Sequence, residues 1–466
     1  MLISQSTAQR VLQAALETGA DFSEIFVEKK RVNGILMISG AVETVQSGFD
    51  SGLGLRIIYG TQSLYGYTSD LREESLIKMA RTLAAAIRRP NQNNALSFSN
   101  SSDLVAPHQI LIPPSGIAMK KRIEKMREAD GFARAYDSLI SQVSIRYADS
   151  AQEVLIANSQ GKWVEDQRTR TRFSVSSVAE YQGEMQTGGF SPGAAQGFEF
   201  VEGLDVKALA EESARVAVTM AKADPCPAGS FPVIIDNGFG GVIFHEACGH
   251  GLEATSVAKN NSIFSNRLGQ TIASKKVTAI DDGTIPNAWG SSTYDDEGGL
   301  QRKRILIEGG VLKSYMIDEL NGKRMNMAST GSARRESYKY APTSRMSNTY
   351  IAAGNDSVQE IFSATKNGLY AKYMGGGSVN PITGEFNFSV MEGYLVKNGK
   401  IDRPVRGATL IGKGSDVLTK IDYVADNLEH GQGMCGSSSG SIPANVGQPM
   451  IRVSNMTVGG RKEEEK

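Results

Sequence analysis

Cysteine, histidine and tryptophan are scarce in this chain of 466 residues, which holds three, four and two of them. The cysteines, Cys226, Cys248 and Cys435, are odd in number and far apart. That excludes a small disulfide framework and suits a reducing compartment. No apolar run approaches the roughly 18 residues needed to span a bilayer, which argues against a membrane-spanning helix. The opening MLISQSTAQRVLQAALE has no basic stretch followed by an apolar core, so a cytoplasmic location is expected. Net charge is also missing, because Lys plus Arg and Asp plus Glu each total 50. The chain therefore has no global field for attracting nucleic acid or anionic lipid. Proline is sparse at 14 residues beside 50 glycines. Glycine is thus about 11% of the chain where roughly 7% is usual, which calls for many turns or close backbone approaches.

What is present describes a folded protein in water, with 40% apolar and 21% charged residues. The length predicts two to four domains. Residues 7–18 carry Val11, Leu12, Ala15 and Leu16 at helical spacing and stop at Gly19. Residues 25–67 alternate short apolar runs with glycine turns, as a strand meander does, and residues 69–89 return to helix behind Ser69 and Asp70. An Asn-, Ser- and Pro-rich stretch, 89–114, reads as a linker. Beyond it the pattern predicts a helix over 117–130, strands over 139–149, 154–158 and 171–182, and a helix over 205–222. DPCPAGS, residues 224–230, has turn chemistry and marks the last boundary. Hairpin turns are expected at Glu308-Gly309-Gly310 and at Asn398-Gly399. RKEEEK at the end reads as a solvated tail. The expected fold is α+β. Two mixed units, residues 1–110 and 111–225, precede a strand-rich unit, 226–466, that bears a metal-binding helix.

The chemistry concentrates in PVIIDNGFGGVIFHEACGHGLEA, where half of all the histidines, His245 and His250, lie within six residues and beside Glu246. In the usual metallopeptidase helix the histidines stand at i and i+4, and the glutamate between them is the general base. Here the second stands at i+5. On a regular helix i+5 leaves the two side chains some 140° apart, against some 40° for i+4. One ion then cannot take both unless the helix is irregular between them, and a π-bulge near Gly249 would bring them together. On an ordinary regular helix the same pattern is simply buried structure. A catalytic zinc needs a third protein ligand. The candidates are Cys248 and Glu253 nearby, and His430 and Cys435 in the distant glycine-rich EHGQGMCGSSSG. A thiolate on a flexible loop is a strong zinc ligand, which favours Cys435 over His430. Cys226, Cys248 and His108 read as bland, the cysteines as small apolar residues and His108 as surface.

HEACGHGLEA, with DDEG at 295–298, TGSARRESYKYAPTSRMSN at 330–348 and MCGSSSGSIPANVGQP at 434–449, resembles the TldD/PmbA family of metallopeptidases. GADFSEIFVE and DSGLGLRIIYG near the start match as well, so the likeness covers nearly the whole chain. The resemblance implies a zinc-dependent peptidase with His245, His250 and Cys435 as ligands and Glu246 as base. It also implies the active TldD type and a dimer, either a homodimer or a heterodimer with a PmbA (TldE)-type partner, that admits unfolded peptides. The family's older label is modulator of DNA gyrase.

Thiolate ligation predicts a weaker Lewis acid than three imidazoles would give, and a Cys435 open to oxidation. Strand edges among the glycines suit an extended peptide held by main-chain bonds, with broad specificity. Arg334, Arg335, Lys339 and Arg345, against the single acid Glu336, are candidates for holding a peptide carboxylate or an oxyanion, or else form a solvated face. The rival function is a non-catalytic regulator that binds DNA or a DNA topoisomerase through this segment. Zero net charge and the lack of interleaved aromatics argue against it. A closed structural zinc site would need four ligands, and the chain clusters only two histidines.

Overall fold

The computed structural model describes residues 2–87, 96–100, 108–380 and 382–460. Most of the expected linker and the RKEEEK tail lie outside these residues.

The N-terminal half is built on one sheet. Its long strands Phe22–Ile38 and Ala41–Tyr59 form a hairpin, and Phe22–Ile38 also pairs antiparallel with Ile140–Asn158, from Glu24 opposite Asn158 to Ile38 opposite Ser144. The stretches before and after residue 110 therefore contribute to a single layer. Residues 139–149 and 154–158, expected as two strands, are one strand of 19 residues. The polar Ser150, Gln152 and Glu153 continue it because the strand is paired on both flanks, to Phe22–Ile38 and to Lys162–Tyr181.

Strand alternation gives the sheet two different faces. Odd-numbered Ile25, Val27, Leu155 and Ala157 pack under the helices Gln5–Leu16 and Glu73–Ala84. Ile35, Met37, Val143 and Ile145 pack under Met119–Tyr136 and Val206–Ala221. The helices start close to where the sequence places them. Asp205 caps Val206–Ala221 by accepting from the Ala208 N–H, whereas Glu73–Ala84 begins four residues beyond Ser69, because Asp70 accepts from Arg72 and Ser75 in a turn of its own.

The even-numbered face carries charges around a buried apolar patch of Phe26, Val154 and Ile156, and it meets the C-terminal unit. Glu24 pairs with Arg335 at 2.7 Å and with Arg56 at 3.0 Å, Arg56 pairs with Glu297 at 2.6 Å, and Arg168 pairs with Asp296 at 2.6 Å. The Tyr338 N–H donates to Glu28. This is a buried ionic seam, with the Glu24 and Arg335 side chains 0% exposed.

The C-terminal unit holds two large sheets, beside a two-stranded ladder of Ala333–Arg334 and Thr343–Ser344. One, of eight strands, includes Gly229–Ile235, Asn367–Val379, Glu385–Lys397 and Ile451–Gly459. The other runs from Val311–Leu312 through Lys303–Glu308, Ala279–Asp282, Asn348–Ile351 and Gly440–Gln448 to the edge strand Glu429–Ser437. Their inner residues share one core with Ile243, Phe244 and Ala247 of a short helix, Val242–Ala247. Both expected hairpin turns are present. Gly309 and Gly310 have φ of 53° and 82°, and Asn398 and Gly399 have 52° and 74°, the left-handed pair a type I′ turn requires. No helix among the described residues is long and apolar enough to cross a membrane.

Removing one partner of a buried ion pair leaves the other charge uncompensated, at a cost of about 3 kcal/mol or more. Arg335→Met should accordingly lower the unfolding free energy by about 3 kcal/mol, read from the urea midpoint. An unchanged midpoint would mean that the seam contributes nothing.

Candidate metal centre

The strand Gly229–Ile235 leads through a tight turn, Gly238–Gly241, into the helix Val242–Ala247 that carries His245 and Glu246. A Cβ on Gly241 would lie 2.5 Å from the Gly447 backbone. Only glycine lets the helix start rest directly on the strand Gly440–Gln448, whose hairpin partner Glu429–Ser437 carries Cys435 opposite Ile442. The close approach is what puts Cys435, 190 residues away in sequence, beside His245.

The stretch between the histidines is irregular, as the i+5 spacing demands, but the irregularity differs from a π-bulge. The helix stops at Cys248, whose φ of −129° and ψ of −48° lie outside the helical region, and the chain resumes as a tighter 3₁₀ turn, Gly249–Leu252. Gly249 is not the point of distortion. It is small because a Cβ there would sit 2.2 Å from the Met346 sulfur.

The break brings three donors together. His245 Nε2 is 3.2 Å and His250 Nε2 3.4 Å from Cys435 Sγ, and one ligand atom from each residue lies within 4.8 Å of the others. Tetrahedral zinc with bonds of about 2.0 Å to nitrogen and 2.3 Å to sulfur separates N from S by about 3.5 Å, so this donor set fits such an ion. Burial opposes ionisation of Cys435, but the two imidazoles outweigh it and hold the thiol pKa down to about 3. Burial also works against a charged His250, yet Glu253 and Cys435 raise its pKa well above the usual imidazole value. A cation entering here displaces the His250 proton, so uptake weakens as pH falls.

The other candidates fall elsewhere. Glu253 is a neighbour of the cluster and not a member of it. Its Oε2 lies 3.2 Å from His250 Nδ1, the arrangement that orients a ligating imidazole. The His-x-x-Glu spacing of GHGLEA is the sequence signal for it. Cys248 is fully buried, with its thiol pKa pushed up by burial. His430 packs edge-on against Tyr350, 5.1 Å between ring centroids, and stands outside the cluster. His108 is half-buried and accepts from the Asn287 N–H at 3.0 Å, so it is not a bare surface residue. Glu246 is the most open residue of the group, its side chain 24% exposed, with Oε2 3.6 Å from His250 Nε2.

Three of the basic run's four residues are buried, which removes the solvated-face reading for them; Lys339 alone stays at the surface, paired with Asp50. Arg345 is 0% exposed. It donates to the Cys435 carbonyl, to Ser439 Oγ at 2.9 Å and to the Gly440 carbonyl at 3.1 Å, and so clamps the cysteine hairpin. Arg335 is held by Glu24 and by the Asp296 carbonyl, which leaves its guanidinium committed to the seam. Arg334 donates Nη1 to the Met346 carbonyl at 2.6 Å and lines a cavity next to the hairpin.

Comparison with known proteins identifies the family. Residues 23–87, 112–221 and 228–460 match, in order, domain 1, the central domain and the C-terminal domain of the PmbA/TldA metallopeptidases. A metalloprotease TldD homolog of Haemophilus influenzae is 35% identical over 98% of this chain and 97% of its own. A metalloprotease of Methanocaldococcus jannaschii is 32% identical over 95% of this chain and 97% of its own. In fold, the chain is similar to a modulator of a DNA gyrase from Thermotoga maritima, with a TM-score of 0.80 and 19% identity over 98% of this chain and all of that one. It is also similar to TldE from Thermococcus kodakarensis, with a TM-score of 0.76 and 17% identity over 97% of this chain and all of that one.

Two substitutions should separate holding the ion from placing the holder. Cys435→Ser removes a donor, and Arg345→Lys keeps the charge but loses the fork that grips three acceptors. Both should weaken zinc binding about tenfold or more in a competition titration against a chelator, within the range known for ligand and outer-shell changes. Unaltered affinity in Arg345→Lys would show that the clamp is not needed.

Proposed function

The chain belongs to the PmbA/TldD metallopeptidase family, and from that premise we propose that it is a zinc-dependent peptidase of HExxxH type that hydrolyses unfolded or extended peptides. The observation that carries this reading is the meeting of His245, His250 and Cys435 donors within 4.8 Å, with Glu246 at the open side. When bound, zinc supplies Lewis acidity, polarising the scissile carbonyl and lowering the pKa of water. Cys435 donates more charge than a third imidazole would, which moderates that acidity.

The remaining work falls to this chain's own groups. Glu246 takes a proton from the attacking water and returns it to the leaving amine. Glu253 fixes the His250 ring through Nδ1, and Arg345 holds the Cys435 backbone in place. The strand Glu429–Ser437 is the edge of its sheet, so an extended peptide added there would run past Cys435 and be held by main-chain bonds with little side-chain selectivity. We place the protein in the cytoplasm, in keeping with its free cysteines. Its partner is a second copy or a PmbA (TldE)-type chain, and the TldE-like fold supports the latter. The regulator alternative is not favoured. Burial of Arg334, Arg335 and Arg345 takes away the basic surface it would use for DNA.

The decisive comparison is wild type against Glu246→Gln on an unstructured peptide, with zinc content measured in both. Zinc should be retained while cleavage falls at least 100-fold, the scale of a lost general base. Cleavage at the wild-type rate would end the assignment of Glu246.

A further inference from the structure

A cavity of about 310 Å³ lies between the N-terminal sheet and the C-terminal unit. Arg170 and Arg172 of the strand Lys162–Tyr181, Arg334 of the short strand Ala333–Arg334, Trp289 of a C-terminal loop, and Ile442 of the cysteine hairpin all line it. Ile442 stands directly opposite Cys435, and Met434, next to Cys435 in sequence, lines the cavity too, so the cavity reaches the ligand-bearing strand itself. The wall is also tied to that strand. Arg172 Nη2 donates to the Gln432 carbonyl at 3.0 Å and Trp289 Nε1 to the Gly433 carbonyl at 2.9 Å.

The arginines here differ from those of the ionic seam. Arg170 donates to the carbonyls of Trp289 and Ser291, both at 3.0 Å, Arg172 to those of Ser191 and Gln432, and Arg334 to that of Met346. Among the described residues none of the three has a carboxylate at ion-pair distance. The acids in the same wall are engaged elsewhere. Asp296 binds Arg168 and the Arg335 N–H, Asp295 accepts from the N–H groups of Glu297, Gly299 and Ala333, and Glu336 accepts from that of Ser441. Burial and neighbouring arginines push the pKa of Arg170 down to about 9, and burial brings Arg334 to about 10. Asp166 and Asp296 offset part of the Arg170 charge, and Asp296 and Asp281 part of that of Arg334, without direct contact, so an anion in the cavity would offset what remains.

We propose that this cavity receives a carboxylate of the peptide substrate, bound by Arg170, Arg172 and Arg334. The inference rests on the peptidase reading above and adds a preference to it. Arg172 meets the edge strand at Gln432, three residues from Cys435, and three residues of extended chain span about 10 Å. The carboxylate therefore belongs about three residues from the bond that is cut. Its source is either the peptide's own terminus or an acidic side chain.

The test uses zinc-loaded Glu246→Gln to prevent turnover and follows tryptophan fluorescence. Of the two tryptophans, Trp289 lines the cavity and Trp163 lies in the core beneath the N-terminal helices. Three N-acetylated peptides of one otherwise neutral sequence are titrated: the free acid, the amide, and an amide with one aspartate three residues past the cleavage site. The acid, the aspartyl amide or both should bind at least tenfold more tightly than the neutral amide, and the tighter one identifies the source. Equal affinity of all three overturns the proposal. Adding Arg334→Met should bring the preference to within twofold, and a surviving tenfold preference overturns the arginine assignment. Arg172→Met, at a half-buried position, serves the same purpose should Arg334→Met fail to fold. Wild-type turnover of the neutral amide separates the two readings. If that peptide is cut and carboxylates confer no preference, only the cavity assignment falls; if none of the peptides is cut, the peptidase reading falls.

Discussion

The buried ionic seam between the N-terminal sheet and the C-terminal unit is the constraint from which the rest of the site descends. Glu24 and Arg56 grip Arg335 and Glu297, while Asp296 takes both Arg168 and the Arg335 N–H. Charges this far from water are held only while their partners are in position, so the seam sets the path of residues 295–297 and 333–336. From there the consequences run along the chain. The Glu336 N–H donates to the Ser439 carbonyl and its carboxylate accepts from the Ser441 N–H, which fixes the tip of the cysteine hairpin. Arg345, on the returning segment, grips the same hairpin from the Cys435 side. A sheet formed by the first half of the chain thus determines where a thiolate near residue 435 can stand.

Much of this was legible in the sequence, and what was not has identifiable physical reasons. Helix positions, glycine hairpins and the i+5 spacing that requires an irregular backbone were readable because they depend on local chemistry. The form of the irregularity was not. Whether a helix widens or stops is decided by what packs on it, here Met346 against Gly249 and the core around Cys248. Strand Ile140–Asn158 looked interrupted at its polar centre because sequence alone does not reveal pairing on both flanks. In the basic run the sequence does not distinguish a binding face from a structural one. Arg335 and Arg345 satisfy a carboxylate and a carbonyl from residues as distant as Glu24 and Cys435, while Arg334 alone of the three lines the cavity with no carboxylate partner.

The cavity has a signal in the sequence as well. In QRTRTRF the arginines at 168, 170 and 172 alternate with threonines, and a strand places alternate residues on one face. Three guanidinium groups side by side on a sheet require something opposite them. The C-terminal unit supplies Asp296 for Arg168 and only carbonyls for the other two, so neighbours of identical type end in different electrical surroundings.

The division of the donor set between a helix near residue 245 and a hairpin near residue 435 also bears on biosynthesis. A ribosome releases the two imidazoles some 190 residues before the thiolate. Until the hairpin emerges and folds onto Gly241, a nascent chain carries two of the three donors and none of the Arg345 clamp contacts. Translation order therefore acts as a safety catch, keeping a protein whose proposed prey is unfolded polypeptide unarmed while it is itself unfolded.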